Sequence, residues 1–376
     1  MSDQFPEYEF FVQSSKIRAY SDDEYVRLNI PVVNNVDNCD ILFGIKEVDI
    51  NTLIPNKHYF FFGHIAKMQS YNKPLLKAMI NKNITFTDYE YLVDDNGKRV
   101  CAFVWWAGAV GVYYTLRGYG LKYNLYELPK PDLRFTLQDL LDNLNKIDKP
   151  NIRIVLTGTG RVSEGAQYVL NTIGVNKVEE DIFLSSQDFG KISYTVADMS
   201  SLVQRIDGKP FNREDFTKNP NMYKSDFMKF ARVSDVFISA HFWGAEDPVY
   251  LSKEELRDSS LSIKMIGDIT CDIMGSIKST LRSSTHELPY YDYNPYSESE
   301  EPAFSSKDNI TVMAVDTCPN ALAIDSSQYF GEMIINHVLK NNNFDSNQIV
   351  QNGTILRNGT LTDKFSYLTD FAKEGK

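Results

Sequence analysis

Short apolar runs and amphipathic stretches take turns along the first third of the chain. Runs at Glu9–Val12, Ile41–Ile45, Tyr59–Phe62 and Ile84–Phe86 have the length and bulk of buried strands. Helices fit between them. Ser21 followed by Asp22, Asp23 and Glu24 reads as an N-cap with an acidic first turn, which suits the unpaired N–H groups of a helix start. Pro74 opens the helical pattern LLKAMINK, a position where its missing N–H costs nothing. Strands alternating with helices predict an α/β chain with a mostly parallel sheet.

Between Arg99 and Arg117 every residue is uncharged (VCAFVWWAGAVGVYYTL). That length is at the low edge of the about 17 to 25 residues needed to cross a bilayer. Gly108, Gly111 and charged flanks favour a helix buried between domains, with no membrane span. Beyond Lys130-Pro131 the chain turns polar, and Phe135–Ile147 has helical period, so a domain junction is expected near residues 130–150. A second α/β run follows, with strands at Ile152–Leu156, Val236–Ala240, Ile263–Ile269 and Ile310–Val315. The acidic, Pro/Ser-rich stretch Tyr293–Asp308 reads as a surface loop, Ser327–Lys340 as an amphipathic helix, and the tail around Gly359 as an edge strand and short helix.

Composition narrows the function. The 376 residues carry 39 Lys+Arg against 50 Asp+Glu, a net charge of −11, with 43% hydrophobic and 24% charged residues. This is a globular mix, and at about 150 residues per domain it suggests two to three domains. An acidic chain with no Lys/Arg cluster argues against nucleic acid as a partner. Four separated cysteines, Cys39, Cys101, Cys271 and Cys318, show no metal or redox spacing. They read as reduced structural thiols, with no metal site and a cytoplasmic setting. The start MSDQFPEYEF has no signal-peptide pattern.

A phosphate group can still be held by backbone amides. The strand Ile152–Leu156 runs into Thr157-Gly158-Thr159-Gly160-Arg161-Val162-Ser163-Glu164-Gly165, followed by a helical pattern. Gly158, Gly160 and Gly165 allow a tight turn and close approach to a pyrophosphate at a helix N-terminus. The spacing is GxGxxxxG instead of GxGxxG, so the strand–turn–helix context carries the reading. An acid about 20 residues on would hold a ribose 2′-hydroxyl and favour NAD; Glu179 or Glu180 fits.

A second cluster lies at strand ends in the first part of the chain: Lys46 in GIKE, His64 and Lys67 in GHIAKMQ, Glu90 in DYEYL and Arg99 in GKRV. Strand C-termini of an open α/β sheet share one edge, so these groups could converge on a ligand. A lysine beside other cations serves as a general base, and a histidine can pass a proton the other way.

The segments GIKE, FFGHIAKMQ, ITFTDYEYLVDDNGKRVCAF, WWAGAVG, LTGTGRVSEGAQ, IGDITCDIMGSI, VMAVDTCPNALAIDSSQYFGEM and NGTLTDKFSYL together resemble the saccharopine dehydrogenase and lysine-ketoglutarate reductase family of the alanine dehydrogenase/transhydrogenase superfamily. The resemblance covers nearly the whole chain from residue 9. It implies two Rossmann-like domains with mostly parallel sheets around a central cleft: residues 1–130 plus about 320–376 for the substrate, and 131–319 for the dinucleotide. It implies imine reduction joining lysine and 2-oxoglutarate, or the reverse, with NAD or NADP as cofactor and an amino-acid/keto-acid substrate. The assembly is expected to be free of nucleic acid and membrane, with a homo-oligomer open.

By motif, the resemblance makes Lys46 the general base and His64 the general acid. Lys67, Gln69, Glu90, Lys98, Arg99, Ala102 and Phe103 would surround the substrate, and Gly160, Arg161 and Asp268 would lie beside the dinucleotide. Three departures bear on activity. The family's first strand–helix unit, with its carboxylate-binding arginine, has no counterpart before SDQFPEYEF; Val104 stands where glycine is common; and Lys98 stands where arginine is common, without its bidentate fork. The competing expectation is a dinucleotide-binding relative with an incomplete substrate site.

Overall fold

A computed structural model describes residues 4–186, 188–340 and 344–373. The chain divides into two compact units: residues up to Ala102 together with those from Ser327 onward, and Phe103–Ser326.

The first unit is built on a five-stranded sheet. Ile41–Phe43, His58–Phe61 and Thr85–Asp88 run parallel, and Thr354–Arg357 returns antiparallel beside Thr85–Asp88 before a hairpin to Thr360–Leu361. Buried Tyr59, Phe61, Phe86, Ile355 and Leu356 from these strands meet Leu75, Leu76 and Met79 of the helix Lys73–Asn81 in one apolar cluster. The run beginning at Glu9 shortens to Val12–Gln13, which pairs in parallel with Val32–Val33 as a separate two-stranded sheet. Between them the helix Asp22–Arg27 starts as its acidic first turn predicts, with the Ser21 N–H donating to the Glu24 carboxylate at 2.7 Å.

The second unit holds an eight-stranded sheet in the order Ser299–Glu301, Tyr290–Asn294, Ile310–Met313, Met265–Asp268, Val236–Ser239, Arg153–Thr157, Ser193–Ala197, Asn176–Lys177. The last six are parallel and the first two antiparallel. Alternation sorts their side chains: Ile154, Leu156, Val236, Ile238 and Met265 join the core on one face, while Val155, Phe237 and Ile266 join the core on the other. A sheet covered on both faces explains why its strands read as continuous apolar runs. The stretch expected to be a loop after Tyr293 holds Ser299–Glu301, the second arm of an antiparallel hairpin with Tyr290–Asn294.

The uncharged segment forms the helix Val104–Tyr123, the longest among the described residues. It belongs to the second unit, whose boundary therefore precedes the expected 130–150 junction. It packs on the helix Arg161–Thr172 and on the sheet, and Ala109, Val110, Val112, Tyr113 and Tyr114 are all buried. No helix among the described residues is long and apolar enough to cross a membrane. The helix expected over Ser327–Lys340 begins at Ala323 and widens into a π-turn at Ile335–Leu339.

Candidate functional site

In the first unit the strands Ile41–Phe43, His58–Phe61 and Thr85–Asp88 end together, and the loops beyond them carry the predicted polar groups. Gly63 must be glycine, because an added Cβ would stand 2.6 Å from the Phe86 ring. The next residue, His64, takes a left-handed backbone (φ 50°). Its Nδ1 lies 2.7 Å from Glu47 Oε1. An ionised carboxylate only accepts, so Nδ1 carries a hydrogen and Nε2 is left for other chemistry. Burial pushes the Glu47 carboxyl up, but the His64 hydrogen bond, a backbone N–H and the nearby His64 and Lys46 charges together hold it below the usual range.

Glu90 forms the second focus. Its Oε1 is 2.9 Å from Lys67 Nζ and 3.4 Å from Arg99 Nη2, while its Oε2 is buried with no hydrogen-bond partner among the described residues. Such an orphan acceptor marks a place where a donor from outside the chain would be satisfied. Asp88, two residues earlier, accepts from the Gly63 and Glu90 N–H groups at 3.1 and 2.9 Å.

The remaining predicted residues of this group are scattered. Lys46 is exposed on the loop after Ile41–Phe43, with no hydrogen bond or ion pair among the described residues, and it adjoins Glu47 in sequence. Gln69 is exposed ahead of the short turn Ser70–Asn72. Lys98 is exposed at a hairpin closed by the Val93–Arg99 bridge, its N–H bound to Asp94. Ala102 is the buried last residue of the unit's first segment, and Phe103 belongs to the second unit, where its carbonyl accepts the Trp106 N–H at the start of the long helix.

In the second unit the chain order reverses at Arg153–Thr157: the following strands lie on one side and Val236–Ser239 on the other, the topology at which open α/β sheets bind ligands beyond strand C-termini. Gly158, with φ 90°, follows directly, and an added Cβ would stand 2.6 Å from the Ala240 carbonyl. Gly160 precedes the helix Arg161–Thr172, and nothing lies within 4 Å of where its Cβ would point. Arg161 occupies the first helical position. Gly165 is buried against the Trp105 carbonyl, so it serves helix packing.

Asp268 ends its strand fully enclosed. Its carboxylate accepts the hydroxyls of Ser239 (2.5 Å), Thr270 (2.6 Å) and Thr280 (2.6 Å), along with the Thr270 and Cys271 N–H groups. It ties two strand ends to the loop after it. Beside it His241 bridges Thr157 Oγ1 at 2.7 Å and Ser276 Oγ at 3.0 Å, and burial lowers its pKa to about 4.

Glu179 is exposed at the start of the short helix Glu180–Ser185, which follows the outermost strand. Opposite Val236–Ser239, the strand that pairs with Arg153–Thr157 is Ser193–Ala197, and the acid at its end is Asp198; the Ala197 carbonyl accepts the Gly158 N–H at 2.9 Å. Glu179, Glu180, Asp198 and Ser200 line one groove of about 460 Å³. Among the described residues no cluster of three His, Cys, Asp or Glu could hold a metal ion.

Sequence reasoning missed Glu47, Asp88, His241 and Asp198. Only Asp198, an acid directly after an apolar run, carried a local signal.

Residues 6–110 match the model of the alanine dehydrogenase/PNT N-terminal domain. The chain is 28% identical over 360 residues to alpha-aminoadipic semialdehyde synthase of Arabidopsis thaliana, covering 86% of this chain and 34% of that one. It is 27% identical over 412 residues to the mitochondrial alpha-aminoadipic semialdehyde synthase of Mus musculus (96% and 44%). The chain thus spans less than half the length of these relatives. Saccharopine dehydrogenase [NAD(+), L-lysine-forming] of Schizosaccharomyces pombe is 23% identical over 342 residues, covering 88% of this chain and 84% of that one. In fold it resembles L-alanine dehydrogenase, with a TM-score of 0.60 over 96% of this chain and 91% of that chain at 14% identity. The Sinorhizobium meliloti transhydrogenase gives a TM-score of 0.55 over 91% and 87% at 12% identity. Residues 6–110 are therefore similar to the alanine dehydrogenase/PNT N-terminal domain, and the chain as a whole is similar to alpha-aminoadipic semialdehyde synthases and saccharopine dehydrogenases.

Proposed function

We propose that the chain is an NAD(H)-dependent oxidoreductase of the saccharopine type, acting on the C–N bond between an amino acid and a keto acid. The observation that supports this reading most is in the first unit, where His64 rests on Glu47 and Glu90 sits between two cations; the second unit separately offers an open glycine turn leading into a 12-residue helix. The similarity to enzymes named for lysine-forming saccharopine oxidation supports the substrate class.

The second unit's turn suits a dinucleotide. Space beside Gly160 and the N–H groups at the start of Arg161–Thr172 would take the pyrophosphate, with Arg161 beside it, and Asp198 or Glu179 would take the adenosine ribose. Bound there, the nicotinamide supplies or accepts the hydride. A carboxylate at the ribose repels a 2′-phosphate, which favours NAD over NADP.

The first unit's residues handle protons and carboxylates. Lys46 serves as general base, removing a proton from the substrate ammonium so that its nitrogen can attack the keto carbon. His64, with Nδ1 held by Glu47, presents Nε2 as general acid and protonates the oxygen that leaves as water. Lys67, Arg99 and Lys98 meet substrate carboxylates, Gln69 contributes a further contact, and Glu90 Oε2 accepts from a substrate nitrogen.

The test follows NADH consumption by the purified chain with lysine, with 2-oxoglutarate and with both. Turnover requiring both is expected; turnover only with another amine would overturn the lysine assignment, and nucleotide binding without turnover on any such pair would overturn the enzyme.

A further inference from the structure

We infer that Asp88 is a positioning residue whose carboxylate locks the His64 and Glu90 loops into one arrangement, and that protonating it loosens both together. The inference rests on the proposed roles of His64 and Glu90 for its effect on catalysis, but the geometry stands apart from them. Asp88 is the last residue of the strand Thr85–Asp88 and is fully buried. Its Oδ2 accepts the N–H of Gly63, immediately before His64, and its Oδ1 accepts the N–H of Glu90. Two loops from neighbouring strands thus share one carboxylate, each held at the backbone next to, or on, a residue that meets substrate.

Among the described residues nothing else accepts the Gly63 N–H; a Cβ there would meet the Phe86 ring, and His64 follows in a left-handed conformation available to few other residues without support. With both oxygens accepting, the carboxylate holds both N–H groups. A proton on either oxygen removes acceptor strength from one side and weakens the link. The titratable groups around Asp88 are Glu90 and the Tyr89 and Tyr91 phenols on its own turn, and His64 from the adjacent loop. The helix Gln348–Gly353 meets the Asp88 backbone with Gly353, which brings no charge. Burial raises the Asp88 carboxyl to about 6, Glu90 adds to the rise, and the two N–H bonds and His64 oppose it. The link therefore changes state in mildly acidic solution, at about pH 6.

Two measurements test this. In the wild-type chain labelled with ¹⁵N-glycine and ¹⁵N-glutamate, the Gly63 and Glu90 amide protons are expected to shift together with one inflection near pH 6; independent or absent inflections overturn the inference. This readout needs no turnover, so it fails or succeeds apart from the enzyme reading. In D88N, whose amide nitrogen cannot accept, kcat is expected to fall between about tenfold and a hundredfold, the order a small misplacement of catalytic groups costs, while nucleotide affinity stays within about twofold. The acidic limb of the pH profile should flatten with it. Wild-type kcat and pH profile in a folded D88N would overturn the role; if D88N does not fold, the wild-type titration decides.

Discussion

Gly108 and Gly165 face each other across a helix crossing: a Cβ on Gly108 would overlap the Val162 carbonyl oxygen, and one on Gly165 would overlap that of Trp105. Each helix opens a notch for the other's backbone, so the long apolar helix Val104–Tyr123 seats directly on the helix that starts at the glycine turn. Either G108A or G165A should cost at least about 3 kcal/mol, because two backbones and not a flexible side chain must move apart. Urea unfolding checks this. G160A is the contrast: its Cβ would enter open space, so stability should hold while nucleotide affinity drops. Equal stability losses at positions 160 and 165 would refute the distinction.

Cofactor choice is expected to turn on Asp198. Its side chain accepts from the Ser200 and Ser201 N–H groups, a cap that an isosteric amide can keep through its carbonyl oxygen. D198N should narrow the preference for NADH over NADPH by about tenfold, the scale of one charge-assisted hydrogen bond, with little change in melting temperature. Fluorescence titration of both nucleotides decides, and a larger effect from Glu179→Gln would move the ribose contact to Glu179.

His58 should make the first unit acid-sensitive. Its Nε2 is 2.8 Å from Thr87 Oγ1, its ring stacks on Phe60 with centroids 4.4 Å apart, and burial lowers its pKa from 6.5 to about 4. Below its ordinary value the unfolded chain takes up a proton that the folded chain refuses. The contribution of this site to stability therefore falls as pH drops from about 6.5 to about 4. Asp88 has the opposite sign: its raised carboxyl favours the folded state as pH falls from about 6 toward 3.8. His58→Gln removes one of these and leaves the other. The stability gap between wild type and His58→Gln, measured by denaturant at several pH values, should shrink on acidification; a constant gap would count against a neutral buried His58.

The parts that were legible in the sequence are those with a local cause. Strands buried on both faces leave unbroken apolar runs, and the turn from Thr157 to Gly165 announces itself because at Gly158 and Gly165 only glycine tolerates the backbone or the close contacts. The unit boundary gave no such sign. Ala102 and Phe103 fall inside an uncharged stretch, so no polar linker separates the units, and the predicted junction drifted to the first polar segment downstream. Counting about 20 residues from the turn reaches Glu179, but the inserted helix Glu180–Ser185 delays the strand that pairs with Arg153–Thr157, and the acid at its end becomes Asp198. Glu47 and Asp88 act through partners 17 and 25 residues away, a relation no local pattern encodes. The motif places Asp268 beside a dinucleotide but says nothing of the five donors from the chain itself that its carboxylate accepts, which come from Ser239, Thr270, Cys271 and Thr280.

The first unit's sheet waits on the strand Thr354–Arg357, which pairs with Thr85–Asp88 across some 270 intervening residues. On the ribosome, everything between Phe103 and Ser326 emerges before that strand does. The second unit can therefore reach its native form while Thr85–Asp88 still exposes a bare edge. During synthesis that edge is a window for mispairing, and its closure makes the first unit the last to mature.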